Sequence, residues 1–133
     1  FMLKLTPTLL KWYPHDLLIR QSVESSTITQ EGYTYLEAAM HLMPKKDLVT
    51  ILAGVADCLH EEQGYHITHP LLLVHGDQDN LGTIKTDAPR WADRYPNCTY
   101  RVIPDAGHLA HIDNPVFFNR LLLEVLNTVE GKM

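Results

Sequence analysis

The sequence predicts an α/β fold in which a helical first half is followed by a strand–helix–strand–helix second half. Three observations support this prediction. Apolar residues recur at helical spacing through most of residues 1–65, and a continuous apolar run at 71–74 then leads into Gly76. A second apolar strand and a long amphipathic segment follow it. A strand, a short helix and another strand predict a parallel pair joined by a right-handed crossover.

The first half contains four predicted helices. Segment 8–23 divides into two short helices at Pro14, because proline interrupts a helix. The third helix is predicted to begin with a capping box formed by Thr27 and Gln30. Its apolar stripe consists of Tyr33, Leu36, Met40 and Met43. We interpret this stripe as packing, with the lining of an apolar acyl or aromatic pocket as the alternative.

Prolines and polar capping residues mark the ends of the other predicted helices. The fourth helix has Pro44 in its first turn. Its apolar face consists of Leu48, Ile51, Leu52, Val55 and Leu59. The short helix between the strands is predicted to have Asp87 as its N-cap and Pro89 in its first turn. In the closing helix, Asn114 is the predicted N-cap and Pro115 the first helical residue. Its inward face consists of Phe117, Phe118, Leu121, Leu122 and Val125.

The first strand needs more cover than this sequence supplies. Its apolar run at 71–74 is typical of a parallel strand that is buried on both faces and paired on both edges. We therefore expect further strands, from a missing N-terminal part or from a second chain, with self-association into a homo-oligomer as an alternative. Phe1 precedes the first methionine, Met2, which also favours a fragment or a processed product over a complete chain.

The overall composition narrows the class of protein. With 45% hydrophobic and 20% charged residues, the chain is expected to be globular and soluble. A formal net charge of −5 without a basic run argues against nucleic acid and anionic membranes as partners. Cys58 and Cys98 do not make a disulfide framework, so we expect reduced thiols in a cytoplasmic protein, a single bridge being the alternative.

Two polar loops follow the predicted strands. The first, 75–82, has the sequence HGDQDNLG, and the second, 105–111, has the sequence DAGHLAH. Both leave a parallel pair at its carboxyl edge, where neighbouring strands lie only about 4.8 Å apart. An Asp of the first loop can therefore reach a His of the second. Such a carboxylate fixes the tautomer of the imidazole and leaves its other nitrogen free to act as a base.

These loops resemble those of the α/β-hydrolase fold family. The matching stretches are PLLLVHGDQD at 70–79 and YRVIPDAGHLAHIDNPVFFNRLLLEVL at 100–126. The family has Gly-x-x-Asp after the penultimate core strand and Gly-His after the last one, and its acid precedes its histidine. The resemblance therefore implies that Asp79 is the catalytic acid and His108 the catalytic base, with Asp77 the less favoured acid. It also implies that residues 1–65 form a helical cap with a connecting helix, and that residues 66–133 form the last two strands and helices of the core.

A nucleophile is missing from the sequence. There is no Gly-x-Ser-x-Gly elbow, and no strand is predicted before Ser22, Ser25 or Ser26. The early loop that forms the family's oxyanion hole is missing too. The resemblance thus implies that this chain supplies the acid and the histidine of a hydrolase whose nucleophile lies outside it. The expected substrate is a small molecule with an ester or a similar carbon–heteroatom bond, and we expect no cofactor. The alternative is a non-catalytic α/β module that binds a partner or a small ligand.

Other polar residues have simpler interpretations. Asp113 is predicted to be only a helix-start residue, and His75 to be structural. His111 is interpreted as a loop residue near the site, with contact to substrate as the alternative. A segment rich in potential metal ligands contains His60, Glu61, Glu62, His66 and His69. Because its spacing is not that of a His-Glu-x-x-His zinc helix, we expect a solvated linker and no metal.

Overall fold

The computed structural model describes residues 7–58 and 64–130, and it confirms the predicted α/β class. The helical half comprises α1 (Pro7–Trp12), α2 (His15–Ser26), α3 (Gln30–His41) and α4 (Lys45–Asp57). The second half comprises β1 (Leu71–Gly76), α5 (Ile84–Ala92), β2 (Cys98–Ile103), α6 (Ala110–Asp113) and α7 (Pro115–Glu130). None of the helices in these two ranges has the length and hydrophobicity that crossing a membrane would require.

The two strands form the predicted parallel pair. Leu71 lies opposite Cys98 at one end of the ladder, and Gly76 lies opposite Ile103 at the other. Within the described residues β1 pairs with β2 alone, and Leu71–Val74 are therefore only half-buried. Burial of this strand on both faces is thus not achieved, because the described elements do not supply a second neighbouring strand or a complete layer on each face.

The helical half has an apolar core of its own. Its buried members are Leu10, Leu18, Ile19, Val23, Leu48 and Val49. The third-helix stripe packs against this core, as predicted, together with Tyr13 and Leu52. The predicted inward face of α4 is partly wrong, because Val49 is buried whereas Ile51 and Val55 are half exposed. Leu59, the last member of that predicted face, lies outside the described residues.

A smaller apolar cluster lies beside the end of β2. Ile103, Ala106 and Ala110 are buried there. Val74, Phe117 and Phe118 pack against them, so α7 presents its apolar face to the sheet as predicted. Its start is also as predicted: Pro115 is the first helical residue, and the Phe117 amide donates to Asn114 Oδ1 at 3.1 Å.

Three predicted helix starts are corrected. Thr29, not Thr27, caps α3, because its Oγ1 accepts from the Gly32 amide at 3.1 Å. Helix α5 begins three residues before Asp87, whose amide already donates to the Thr83 carbonyl. The Asp87 carboxylate accepts from the Thr83 hydroxyl, and Pro89 lies inside the helix. Pro44 precedes α4 instead of lying in its first turn.

Gly76 permits the close approach of two backbone segments. A Cβ at this position would overlap the carbonyl oxygens of Ala106 and Gly107, which belong to the loop after β2. These are backbone atoms, so they cannot turn away as the end of a long side chain could. The glycine therefore lets the loops after β1 and β2 lie against each other.

Gly76→Ala is expected to lower the free energy of unfolding by about 1–3 kcal/mol, because overpacking of this kind costs that amount. Gly54→Ala is the matched control. Gly54 lies within α4 with no atom close to the added methyl group, so alanine should raise stability by about 0.5–1 kcal/mol through helix propensity. Denaturant unfolding of both variants tests this, and equal effects would contradict the close-approach argument.

Candidate active site

The structure brings Asp79 and His108 together at the carboxyl edge of the sheet. Asp79 lies three residues beyond the end of β1, and His108 lies in the loop that follows β2. His108 Nδ1 is 2.9 Å from Asp79 Oδ2. The predicted contact between the two loops is therefore present, and it joins the two residues that the sequence singled out.

Asp79 is buried and held on both sides. Its residue exposure is only 2%, and its Oδ1 accepts from the Leu81 amide at 2.9 Å. Its own amide donates to the Gly76 carbonyl at 3.2 Å, which closes a tight turn directly after the strand. Burying a carboxylate is costly unless hydrogen bonds replace its water. Here a backbone amide and the imidazole replace that water, one on each oxygen.

The contact defines the tautomer of His108. An ionised carboxylate only accepts hydrogen bonds, so Nδ1 carries the proton and donates it to Asp79. In the neutral ring Nε2 then keeps its lone pair. The His108 side chain is 39% exposed, whereas the Asp79 side chain is 1% exposed. The pair thus combines a buried carboxylate with an imidazole that is partly open to solvent, an arrangement that suits general-base chemistry.

Asp77 bonds to the backbone of the second loop and not to His108. Its Oδ1 accepts from the Ala106 amide at 3.1 Å, and its amide donates to the Ile103 carbonyl at 2.9 Å. The Gln78 amide donates to the Ala106 carbonyl at 2.9 Å. Asp77 therefore ties the first loop to the backbone of the second, and it does not contact an imidazole.

His75 is structural, as the sequence suggested. It lies within β1 and is buried, with Nδ1 2.7 Å from the Gly76 carbonyl and Nε2 2.7 Å from the Tyr100 hydroxyl. Because a carbonyl only accepts, Nδ1 donates to it. The Tyr100 hydroxyl lies at Nε2, and burial raises the pKa of this hydroxyl.

Asp113 is not merely a helix-start residue, which corrects the prediction. Asn114 caps α7, while the Asp113 carboxylate accepts from the Gly107 amide at 2.8 Å and the Thr29 hydroxyl at 2.9 Å. The Thr27 hydroxyl and the Ile28 amide also donate to it. Thr27 therefore contributes to this cluster and not to a capping box. Thr27, Ile28 and Thr29 lie more than 80 positions from Asp113, so no local sequence pattern could have indicated these three partners.

The electrostatics of Asp113 follow from these contacts. Burial by itself would raise the pKa of its carboxyl, but the hydrogen bonds from Thr27, Gly107, Thr29 and Ile28 outweigh burial and hold the pKa below its ordinary value. The carboxylate also lies at the amino end of the 12-residue helix α3, where the helix dipole favours a negative charge. These surroundings therefore favour the ionised form of Asp113.

The remaining candidate residues do not join this site. His111 is an exposed residue of α6, with its ring centroid 5.8 Å from that of Phe118. The hydroxyls of Ser25 and Ser26 both donate to the Ser22 carbonyl within α2. His66 and His69 are exposed, and His60, Glu61 and Glu62 lie outside the described residues. Within the described ranges no three His, Cys, Asp or Glu side chains converge on a metal site, and both cysteines are free thiols.

A family comparison agrees with the geometry. The model of the alpha/beta hydrolase fold family matches residues 11–115, which include most of the helical half, both strands, Asp79 and His108. No curated protein and no solved structure matches the sequence significantly.

The stability of the fold is expected to depend on the charge of Asp113. Because its pKa is lower in the folded chain than in the unfolded one, its contribution is complete above the unfolded value of about 4 and is lost as the pH falls through the folded value. Free energies of unfolding between neutral and acid pH, for the wild type and Asp113→Asn, measure this. The wild type should lose more stability below about pH 4 than the variant, and identical slopes would refute the role of the charge.

Proposed function

Because the chain belongs to the α/β-hydrolase fold family, we propose that it carries the acid and the base of a hydrolase, Asp79 and His108. The observation that supports this most directly is the 2.9 Å contact between His108 Nδ1 and the buried Asp79 carboxylate. The proposed substrate class is a small molecule with an ester or a similar carbon–heteroatom bond. Such a reaction requires a base that its reaction partner can reach, and the His108 side chain is 39% exposed while its Nδ1 is held by Asp79.

The proposed chemistry of the pair is general acid–base catalysis. His108 Nε2 takes the proton of an attacking hydroxyl group as its oxygen bonds to the substrate carbonyl carbon. The resulting imidazolium donates its Nδ1 proton to Asp79 in a hydrogen bond, and Asp79 stabilises the positive charge without taking that proton. The Nε2 proton then passes to the leaving group as the scissile bond breaks. In the second half of the reaction His108 takes a proton from water as the water oxygen bonds to the acyl carbon, and it returns that proton to the nucleophile oxygen as the carboxylic acid product leaves.

The proposed nucleophile belongs to polypeptide outside these 133 residues. The sequence has no Gly-x-Ser-x-Gly motif, and its three serines, Ser22, Ser25 and Ser26, all lie on α2. Ser25 and Ser26 use their hydroxyls within the helix. The half-buried apolar strand β1, which pairs only with β2 in the described structure, provides an edge where further strands of the same sheet can be added.

The helical half is proposed to act as the cap of this hydrolase. It has its own apolar core, and its α2–α3 connection, residues 26–29, lies against the loop that holds His108. The Leu109 amide donates to the Ser26 carbonyl at 2.7 Å, so the contact is made one residue from the proposed base. A segment in this place can limit the access of water and shape the pocket for the substrate.

In the complete enzyme, His108→Ala and Asp79→Asn are each expected to lower kcat by about a thousandfold or more, because each removes a member of a unit that acts together. Hydrolysis of p-nitrophenyl esters by the purified protein, with any polypeptide that accompanies it, is the measurement. His66→Ala is the control, since His66 is an exposed residue before β1, at the opposite edge of the sheet. Wild-type turnover in both site variants would refute the proposal.

Labelling with a fluorophosphonate, a reagent that modifies activated serines, tests where the nucleophile lies. Peptide mapping should find the label outside the 133 residues, and labelling should be lost in His108→Ala. Label on Ser22, Ser25 or Ser26 would instead contradict a nucleophile from elsewhere. The absence of any label and of any ester hydrolysis would favour the second candidate function, a non-catalytic α/β module, which the missing elbow motif supports.

A further inference from the structure

We propose that Asp113 is a positioning residue that fastens the loop carrying His108 to the α2–α3 connection. We call residues 104–109 the histidine loop and residues 26–29 the α2–α3 connection. The catalytic meaning of this role depends on the proposed function, whereas the positioning itself does not. Through Asp113 the helical half takes a direct part in orienting His108.

Both residues that flank His108 are held by groups from elsewhere in the fold. On one side the Gly107 amide donates to Asp113 Oδ2 at 2.8 Å. On the other side the Leu109 amide donates to the Ser26 carbonyl at 2.7 Å. The backbone of His108 is therefore fixed at two points, and both lead to the α2–α3 connection, one directly and one through the Asp113 carboxylate.

Asp113 is itself fixed to the α2–α3 connection. Its Oδ1 accepts from the hydroxyls of Thr27 and Thr29, and the Ile28 amide donates to both carboxylate oxygens at 3.3 Å. The Thr29 amide adds a longer bond at 3.4 Å. One carboxylate thus collects donors from three consecutive residues of one segment and from Gly107 of the histidine loop.

Close packing around the carboxylate leaves little freedom for movement. A Cβ on Gly32 would overlap Thr27 Oγ1 and would lie 3.0 Å from Asp113 Oδ1. A Cβ on Gly107 would lie 3.2 Å from Asp113 Oδ2 and 3.1 Å from Ile28 Cγ2. Glycines on both sides therefore allow the first turn of α3 and the histidine loop to approach the same carboxylate.

The chemistry of the cluster requires a carboxylate. All of its partners are N–H or O–H groups, and an ionised carboxylate offers only acceptors to them. An asparagine would place an NH2 group either at the Oδ2 position, against the Gly107 and Ile28 amides, or at the Oδ1 position, against the Ile28 and Thr29 amides. In either orientation donor would meet donor and a hydrogen bond would be lost. The isosteric change Asp113→Asn therefore breaks the connection with almost no change in volume.

The first test is the NMR signal of the His108 Nδ1 proton, recorded on the purified protein with any polypeptide that accompanies it and assigned by its absence in His108→Ala. In the wild type the bond to Asp79 should place this proton far downfield and slow its exchange with water. Asp113→Asn should move it upfield and accelerate its exchange, although neither Asp79 nor His108 is changed. Asp93→Asn, an exposed residue at the end of α5, is the matched control and should leave the signal unchanged.

A folded Asp113→Asn variant, shown by an unaltered circular dichroism spectrum, with a wild-type His108 signal would overturn the proposal. If that variant fails to fold, Thr27→Val decides the question. It removes one donor to Oδ1 and leaves the Gly107 bond to Oδ2 in place. A displaced His108 signal in Thr27→Val supports the coupling, and an unchanged signal overturns it.

Kinetics in the complete enzyme give an independent readout. In Asp113→Asn, misplacement of His108 should lower kcat for p-nitrophenyl esters by about ten- to a hundredfold. KM should change little, because the orientation of the base affects the chemical step. A rise in KM with unchanged kcat would overturn the positioning role. If no ester is hydrolysed even by the wild type, the proposed function fails while the NMR test of Asp113 still stands.

Discussion

The parallel pairing of β1 with β2 is the constraint on which the site depends. It brings both strand ends to one edge of the sheet, with Gly76 opposite Ile103. Backbone bonds then continue beyond the strands, from Asp77 to Ile103 and from Gln78 to Ala106. These backbone bonds hold the two loops together independently of the contact between Asp79 and His108. The turn that contains Asp79 starts at Gly76 in this pair of loops, and its carboxylate lies 2.9 Å from the imidazole of His108.

Two carboxylates in this region, the buried Asp79 and the partly buried Asp113, receive different kinds of hydrogen-bond donor. Asp79 receives a backbone amide on one oxygen and the imidazole of His108 on the other. Its stabilisation therefore depends on a group that can change its charge during a reaction. Asp113 receives hydroxyls and backbone amides, and none of these donors titrates in the ordinary pH range. The first arrangement suits proton transfer, and the second suits a permanent structural connection.

The sequence predicted those features that depend on short stretches of chain. The cap of α7 by Asn114 follows from three adjacent residues, and the contact of Asp79 with His108 follows from two loops whose strands had to be parallel. Features that depend on distant partners were missed or misinterpreted. The local pattern predicts that Thr27 forms a capping box, whereas its partner in the structure is Asp113, which lies 86 positions away. No pattern within one helix could reveal that choice.

The apolar faces of the helices show the same limitation of prediction from local sequence. Periodicity predicted that α4 would bury Ile51 and Val55, yet the structure buries Val49 beside Leu48. Helical spacing defines an apolar stripe, but the neighbouring helices determine which side of that stripe they cover. For α3 and for α7 the predicted apolar face coincides with the packed one.

The two halves of the chain meet through directional contacts at the point where function is proposed. Each half has its own apolar cluster, around Leu18 in the helical half and around Ile103 beside the sheet. Apolar surfaces can shift against each other at modest cost, whereas a hydrogen bond weakens steeply with distance and angle. The contacts through Asp113 and Ser26 are hydrogen bonds, and their donors are the backbone amides of Gly107 and Leu109, the neighbours of His108. A small displacement of the helical half would therefore change the orientation of the His108 imidazole. Sliding of the two apolar clusters against each other would not compensate for it.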